Sequence, residues 1–354
     1  MIRVVEHLEY GFLDDLSTYL SSVPNLSSVG YEHDPRWMQV LRDELGHRPV
    51  PLVGQSTNGR ICAYLPLVLV SGPLFGRFLV SLPYVNRAGV LAQDPDVAAA
   101  LIERAVKLAY ELDVKYVKLR HCQPIGHADL PHARDDKSLM MLELAPDAET
   151  LWKSFNSKVR NQIRKGQKHN LVIRWSQRLD ESTDQREDLS ADLSHTVTMV
   201  NQFYEIFSIN MRDLGTPVYP QTLFEQILAR FSREAEFAIV DCEGHPIAAA
   251  LLIHDRGRTQ VSSASCLRHY NSTNTNMWMY HQLLLRAIAR GSRKFDFGRS
   301  SEDSGTYRFK KQWGAMPIPR CSNTIFVVAT SMRCVLIVPA IEVASPRGRS
   351  YLFG

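Results

Sequence analysis

One order of elements occurs twice along this chain of 354 residues, and it limits the fold more than anything else in the sequence. In the first half, alternating apolar residues over 48–70, broken by a turn at Ser56–Gly59, predict a β-hairpin. The 71–89 connection follows. An Ala-rich helix is then predicted from its cap at Asp96 to Leu112, with Leu101, Ala105 and Leu108 at helical spacing, before a strand over Lys115–Leu119. In the second half, strands are predicted over Glu236–Asp241, Pro246–His254 and Thr259–Cys266, with turns at Glu243-Gly244 and Arg256-Gly257. A helix over Asn276–Ala289 and a short strand over Lys294–Phe297 complete the second copy. Hairpin, helix, strand, repeated, predicts a duplicated α/β unit. A chain this long also exceeds one ordinary core.

Composition narrows the class. Hydrophobic residues make up 45% and charged residues 22%, as in soluble globular proteins. The N-terminus lacks the basic, apolar and small-residue order of an export signal, so a cytoplasmic location is expected. The six cysteines (62, 122, 242, 266, 321, 334) are scattered without a Cys-x-x-Cys, which predicts reduced thiols and no metal site. The most apolar run, residues 325–343, is interrupted by Ser331, Arg333 and Pro339; it reads as a closing strand and tail, not as a membrane span.

Charge is divided unevenly. Residues 1–150 carry 14 Lys/Arg against 19 Asp/Glu, and residues 151–354 carry 27 against 18. The excess is densest over 151–168, where Trp152, Phe155, Val159 and Ile163 form one apolar stripe of a helix. Lys153, Lys158, Arg160, Arg164, Lys165 and Lys168 occupy its other faces. From Leu151 to Leu179 there are eight Lys/Arg and no acid. A solvated helix usually interleaves both signs. A one-signed helix predicts an anionic partner, a nucleotide-sugar phosphate or RNA, the alternative being a plain solvated surface helix. The aromatic residues lie on the core stripe or the next strand, so base-specific recognition, and DNA, are not indicated. A long amphipathic helix is predicted over 191–212, after a polar loop at 180–190.

The run Lys294-Phe-Asp-Phe-Gly-Arg-Ser300 reads as a strand that breaks at Gly298 into a loop, followed by a short amphipathic segment from Tyr307 to Trp313. Strand ends of this kind commonly build sites. Asp296 faces away from Phe295 and Phe297. It is the candidate for binding or deprotonating an amine, or else a structural carboxylate. Arg299, Lys310 and Lys311 are candidates for holding phosphate or carboxylate, with Ser300 and Arg308 beside them as substrate-binding candidates, the alternative being that two of Arg308, Lys310 and Lys311 are solvated; Tyr307 is either a donor to an oxyanion or a core residue. His269 and His281 have no metal-spaced partner and read as structural.

These motifs, taken in order, resemble the FemAB family. They are Leu151-Trp152-x-x-Phe155-x-x-Lys158-x-Arg160-x-x-Ile163-Arg164-Lys165, Phe295-Asp296-Phe297-Gly298-Arg299-Ser300, and Phe309-Lys310-Lys311-x-Trp313-Gly314. Ser81-Leu82-Pro83-Tyr84-Val85-Asn86-Arg87-Ala88-Gly89 is similar to a first-domain loop of the FemAB-like proteins that accompany exosortase (PEP-CTERM) systems. The resemblance covers residues 30–325. It implies an α/β (α+β) fold of two tandem GCN5-related N-acetyltransferase-like domains with mixed sheets: residues 1–147, residues 148–330, and a divergent tail at 331–354. It implies an aminoacyl or acyl transferase forming an amide on an amine of a peptidoglycan or exopolysaccharide precursor. On the chemistry of the residues themselves, Asp296, Arg299, Tyr307 and Lys310 are the catalytic candidates. Tyr84, Asn86, Lys158, Arg160, Arg164, Ser300, Arg308 and Lys311 would bind substrate, with Tyr84 and Asn86 in an acceptor cleft. The partner would be a nucleotide-sugar or lipid-linked precursor, with tRNA as the aminoacyl carrier.

Two other readings stand beside it: an acyl-CoA or acyl-carrier N-acyltransferase, and a non-catalytic nucleotide-sugar or RNA-binding module. A CoA enzyme of this fold seats the pyrophosphate on a glycine-rich turn opening a helix. The stretch Arg268–Asn276 has no glycine, so the standard CoA turn is not expected and no resident cofactor is assigned.

Overall fold

The computed structural model describes residues 1–4, 10–23, 29–72, 76–121, 125, 137–177, 189–318 and 321–326. They fall into two compact units. One holds Met1–Lys137 with the strand Cys321–Phe326, and the other Ser138–Ile318. The expected boundary at 147/148 lies past a strand of the second unit, and the chain returns to the first unit after 318. The tail at 331–354, and the 325–343 run beyond residue 326, lie outside the described residues, as does most of the 180–190 segment.

The first unit contains β1 (Ile2–Val4), α1 (Tyr10–Ser22), α2 (Arg36–Leu45), β2 (Arg48–Pro49), β3 (Leu52–Gln55), β4 (Ile61–Leu65), β5 (Leu67–Gly72), β6 (Gly76–Ser81), β7 (Leu91–Ala92), α3 (Pro95–Glu111) and β8 (Tyr116–His121). The second contains β9 (Lys137–Glu143), α4 (Ala148–Ser154), α5 (Ser157–Gln167), β10 (Leu171–Trp175), α6 (Leu189–Leu214), α7 (Gln221–Arg230), β11 (Ala235–Cys242), β12 (His245–Asp255), β13 (Arg258–Cys266), α8 (Thr275–Ala289), β14 (Lys294–Ser301), α9 (Gly305–Lys311) and β15 (Met316–Ile318). β16 (Cys321–Phe326) closes the described chain.

The first unit has a four-stranded sheet, β1-β3-β4-β7, and a five-stranded one, β16-β8-β6-β5-β2. The second has one seven-stranded sheet, β10-β11-β12-β13-β14-β9-β15. The repeat is present: α3 lies between the parallel strands β6 and β8, and α8 between the parallel strands β13 and β14. Both sheets that contain these crossovers also hold antiparallel pairs, β5 with β6 in one and β11 with β12 and β12 with β13 in the other, hence mixed.

Local chemistry sets the ends of the elements. Asp94, not Asp96, caps α3: its carboxylate accepts from the Asp96 N–H at 2.8 Å, with Pro95 in the first turn. The single basic helix expected over 151–168 is two helices. Phe155 leaves helical geometry, and the Asn156 side chain accepts from the Val159 N–H at 2.9 Å to start α5. The Glu243-Gly244 and Arg256-Gly257 turns have positive φ at both positions, as two-residue hairpins require. Several strands went unforeseen, among them β6 within the expected 71–89 connection, β9 at the expected boundary, and the short β1, β7 and β15.

The second unit buries both faces of its sheet. On one face Ala248, Ala250 and Leu252 of β12 meet Met279, Leu283 and Ala287 of α8, with Val159 and Ile163 of α5 in the same core. On the other, Phe203 of α6 lies 4.8 Å from Phe237 and 4.9 Å from Phe224. A buried ionic network ties α8 to the sheet. Glu236, fully buried, accepts from His254 Nε2 at 3.0 Å, Arg286 Nε at 3.0 Å and Arg290 Nη2 at 3.2 Å. Burial pushes the Glu236 carboxyl up, but the His254 and Arg286 hydrogen bonds outweigh it and hold it at about 2.

Gly166 is where α5 meets α8. A Cβ there would stand 2.6 Å from the Trp278 Cβ and 3.3 Å from the Asn274 carbonyl oxygen. Helix propensity alone favours Gly166→Ala by about 1 kcal/mol. Overpacking against an unyielding Cβ costs about 1–3 kcal/mol. The clash should win, so Gly166→Ala is expected to lower the urea midpoint without changing the slope of the transition. A higher midpoint would show that α5 can shift freely on α8.

Candidate active site

The site begins where two strands separate. β13 and β14 pair in parallel only over Arg258↔Lys294, Thr259↔Phe295 and Gln260↔Asp296. β13 then runs on to Cys266 and β14 to Ser301 with no further register between them. Gly298 sits in the break at φ +76°, a conformation that side chains with a Cβ seldom adopt. The Asp296 carboxylate caps this kink, Oδ1 accepting from the Gly298 N–H at 2.7 Å. The expectation of a loop after Phe297 is corrected here: the strand continues through the kink, so Arg299 and Ser300 are buried strand residues.

Side-chain direction follows from the pleat. Phe297 stacks on Tyr280 of α8 at 5.7 Å, and Phe295 meets Phe297 edge-on at 4.8 Å. Asp296 therefore faces the opposite side of the sheet. There it is fully buried, while Arg299 is 9% exposed.

α9 brings the third charge. Ser304 caps it, accepting from the Tyr307 N–H at 3.1 Å, and Ser300 Oγ donates to Thr306 Oγ1 at 3.3 Å. Phe309 packs edge-on against Tyr280 at 5.0 Å, anchoring the helix. Lys310 turns inward, only 8% exposed, and its Nζ donates to the Arg299 carbonyl at 2.8 Å. Burial lowers the Lys310 ammonium to about 8; the nearby Asp296 charge opposes that shift and Arg299 adds to it. At neutral pH the ammonium is still largely protonated. Asp296, Arg299 and Lys310 thus form one buried group beside the strand opening.

The other candidates separate from it. Arg308 is exposed and donates to the Asp303 carbonyl at 2.5 Å. Lys311 is exposed, its Nζ 5.9 Å from the centre of the half-buried Tyr307 ring. Lys158 and Arg164 lie on the exposed side of α5 and Arg160 is half-buried; the Arg164 guanidinium sits 5.4 Å over the Trp152 ring. Tyr84 and Asn86 belong to the first unit. Tyr84 has φ +68°, and its hydroxyl is 3.2 Å from His47 Nε2. Arg120, unnoticed in the sequence, holds this loop through the Leu82 and Val85 carbonyls, and Arg87 pairs with the buried Glu32 at 3.5 Å. These partners come from separate elements, so no local pattern announces them.

No group of three or more metal-binding side chains occurs among the described residues. The turn before α8, where a CoA enzyme of this fold would seat its pyrophosphate, carries no glycine from Arg268 to Asn276. Asn274 there is left-handed at φ +57°, Thr275 is fully buried, and Gly166 of α5 lies against the first turn of the helix. No helix among the described residues is long and apolar enough to cross a membrane.

Residues 153–311 match the family described as acetyltransferase (GNAT) domain. No curated protein matches the chain. Among solved structures, the crystal structure of FemX is similar at a TM-score of 0.63 with 13% identity, over 92% of this chain and 97% of that one. A tandem GNAT protein from the clavulanic acid biosynthesis pathway gives 0.54 and 13%, over 94% and 100%. The C-terminal domain of a putative lysylphosphatidylglycerol synthetase from Agrobacterium fabrum gives 0.55 and 10%, over 87% and 92%. With strands, crossovers and kink in this order, the chain has a FemAB-like tandem GNAT fold, and the stretch that matches the GNAT family, residues 153–311, lies within its second unit.

Proposed function

We propose that this chain is an acyltransferase that joins an aminoacyl or acyl group to an amine of a cell-envelope or exopolysaccharide precursor in the cytoplasm. The observation that carries the reading is the buried Lys310 ammonium, held on the backbone of β14 at the point where β13 and β14 part. In amide formation the amine nitrogen attacks the donor carbonyl, oxygen gains negative charge, the amine loses a proton and the leaving group departs with one. Lys310 uses one N–H on Arg299 and keeps two for the oxyanion. A preformed donor in a water-poor site is worth most at that step. Arg299 reinforces the positive field, and Asp296 keeps Lys310 charged. With Oδ1 committed to Gly298, Asp296 acts as a positioning residue more readily than as the base.

The FemX likeness favours an aminoacyl donor, and the glycine-free turn before α8 speaks against CoA. The deciding assay supplies labelled aminoacyl-tRNA, acyl-CoA or acyl carrier protein with a UDP-linked peptide precursor or an amino sugar as acceptor. Transfer from aminoacyl-tRNA supports the first reading, and transfer from CoA alone replaces it with the acyl-CoA one. RNA or nucleotide-sugar binding without any transfer would leave a binding module.

Lys310→Met should cut turnover about 10²–10³-fold, as loss of an oxyanion donor does. It should not lower the melting temperature at pH 7. The sign follows from linkage: the folded value is about 8 against an unfolded 10.5, so burying the charge weakens folding below pH 8 and that penalty is gone above 10.5. Activity of the parent should fall as pH passes about 8 and Lys310 deprotonates. A rate that instead rises through pH 8 with no later fall, the acceptor amine being held saturating, would make Lys310 a base.

The free cations of α5 are assigned to the phosphates of the anionic partner. Lys158→Glu with Lys165→Glu reverses two exposed charges two turns apart on one face. Binding of bulk tRNA or of a UDP-sugar, measured at low salt, should weaken and lose part of its salt dependence. Equal affinity of parent and double mutant for both ligands would remove α5 from the binding surface.

A further inference from the structure

The mechanism above leaves one side chain beside the strand opening unused. Gln260 is 4% exposed, and its Oε1 has no hydrogen-bond partner among the described residues. It is the register partner of Asp296 in the last pair before β13 and β14 part. Since Phe295 and Phe297 point to α8, Gln260 and Asp296 share the opposite face. α6 covers that face over β11, through Phe203 and Phe237, and reaches the far end of β13, where Asn210 Nδ2 donates to Ser265 Oγ at 3.2 Å. Gln260 is thus buried beside Asp296 at the last paired position before the strands part.

A buried amide oxygen without a partner weakens the fold. Methionine has nearly the same length and volume and no such penalty. A polar group left unsatisfied in the free protein is most simply explained by a ligand that satisfies it. A carboxamide carries an acceptor and a two-hydrogen donor side by side in one plane. Its best complement is a second amide, which presents C=O and N–H in the same plane and forms two parallel hydrogen bonds.

We propose that Gln260 is a specificity-determining residue that pairs with an amide group of the bound acceptor, in the opening between β13 and β14. This rests on the acyltransferase reading for the identity of the ligand as acceptor. The amide could come from either of two sources, a peptide-bearing amine or an N-acetylated sugar. The contact selects the acceptor and does not assist bond making, which stays with Lys310.

The test uses the full chain, with and without Gln260→Met, and two measurements. The first is the melting temperature without ligand. The variant is expected to melt at or above the parent; a clear loss of stability would mean that the amide already has a structural partner, and would overturn the proposal. The second is equilibrium binding, by calorimetry, of four probes: alanyl-lysinamide and pentylamine, N-acetylglucosamine and glucosamine. The parent should prefer an amide probe over its amide-free counterpart by about ten- to a hundredfold. Gln260→Met should erase that preference while binding the amide-free probe as before. A preference within the first pair identifies a peptide-bearing acceptor, and within the second an N-acetyl sugar. No preference in the parent for either pair, or one that survives in Gln260→Met, overturns the assignment. Because binding needs no donor, this outcome is separate from the transfer assay: absent transfer with a Gln260-dependent preference would reject the acyltransferase reading and keep the amide contact.

Discussion

The hydrogen bond from the Gly298 N–H to the Asp296 carboxylate, 2.7 Å long and fully buried, is the contact on which the site depends. It fixes the kink that ends the pairing of β14 with β13. Without the kink, strict alternation would put residue 299 on the same face as Phe295 and Phe297, against α8. With it, the Arg299 carbonyl is turned to receive Lys310, and α9 can lay Phe309 on Tyr280 while Lys310 reaches the strand. One carboxylate thus acts twice: as a local backbone cap, and as the nearby negative charge that keeps a buried ammonium protonated.

Burying charge this way needs a rigid frame, and the opposite face of the sheet supplies one. Glu236 gathers two guanidiniums and a histidine, none of them more than partly exposed. Breaking such a network from one side leaves uncompensated buried charge and costs about 3–5 kcal/mol. The network joins β11, β12 and α8, the elements that carry Phe297 and Phe309 through Tyr280. The side of the sheet that carries Asp296, Arg299 and Lys310 thus rests on a core that this network ties firmly.

Much of this was legible in the sequence. The strands β11 to β13, their turns, α3, α8 and the start of β14 all carry strong periodicity or paired turn residues, and they appear where expected. The misses have physical causes. Asn156 ends one apolar stripe and starts another, so the stripe reads through a break that only the cap reveals. β9 carries Leu139-Met140-Met141-Leu142 with little alternation, being buried over much of its length, which leaves helix and strand indistinguishable by pattern. Asp296, Arg299 and Lys310 are singled out by their residue types, and the structure buries all three, which no pattern announced. Lys310 shares a helical face with Thr306 and Trp313 at spacings of four and three, a signal overshadowed by its charged neighbours Arg308 and Lys311. Gln260 had no signal at all, since only the parting of two strands gives it meaning.

The return of the chain to its first unit has a consequence for how the protein is made. β16 pairs with β8 in a register that joins Cys321 to His121 and Phe326 to Tyr116, partners about 200 residues apart. Until β16 emerges from the ribosome, β8 is the open edge of its sheet. An unpaired edge is a template for pairing with another chain. The N-terminal unit, synthesised first, must therefore wait for the whole GNAT domain before its sheet is complete. Folding cannot run simply from N- to C-terminus. Quality of the finished protein depends on the second unit folding promptly enough to deliver a single strand backwards, and truncation anywhere before residue 321 leaves the first unit unsealed.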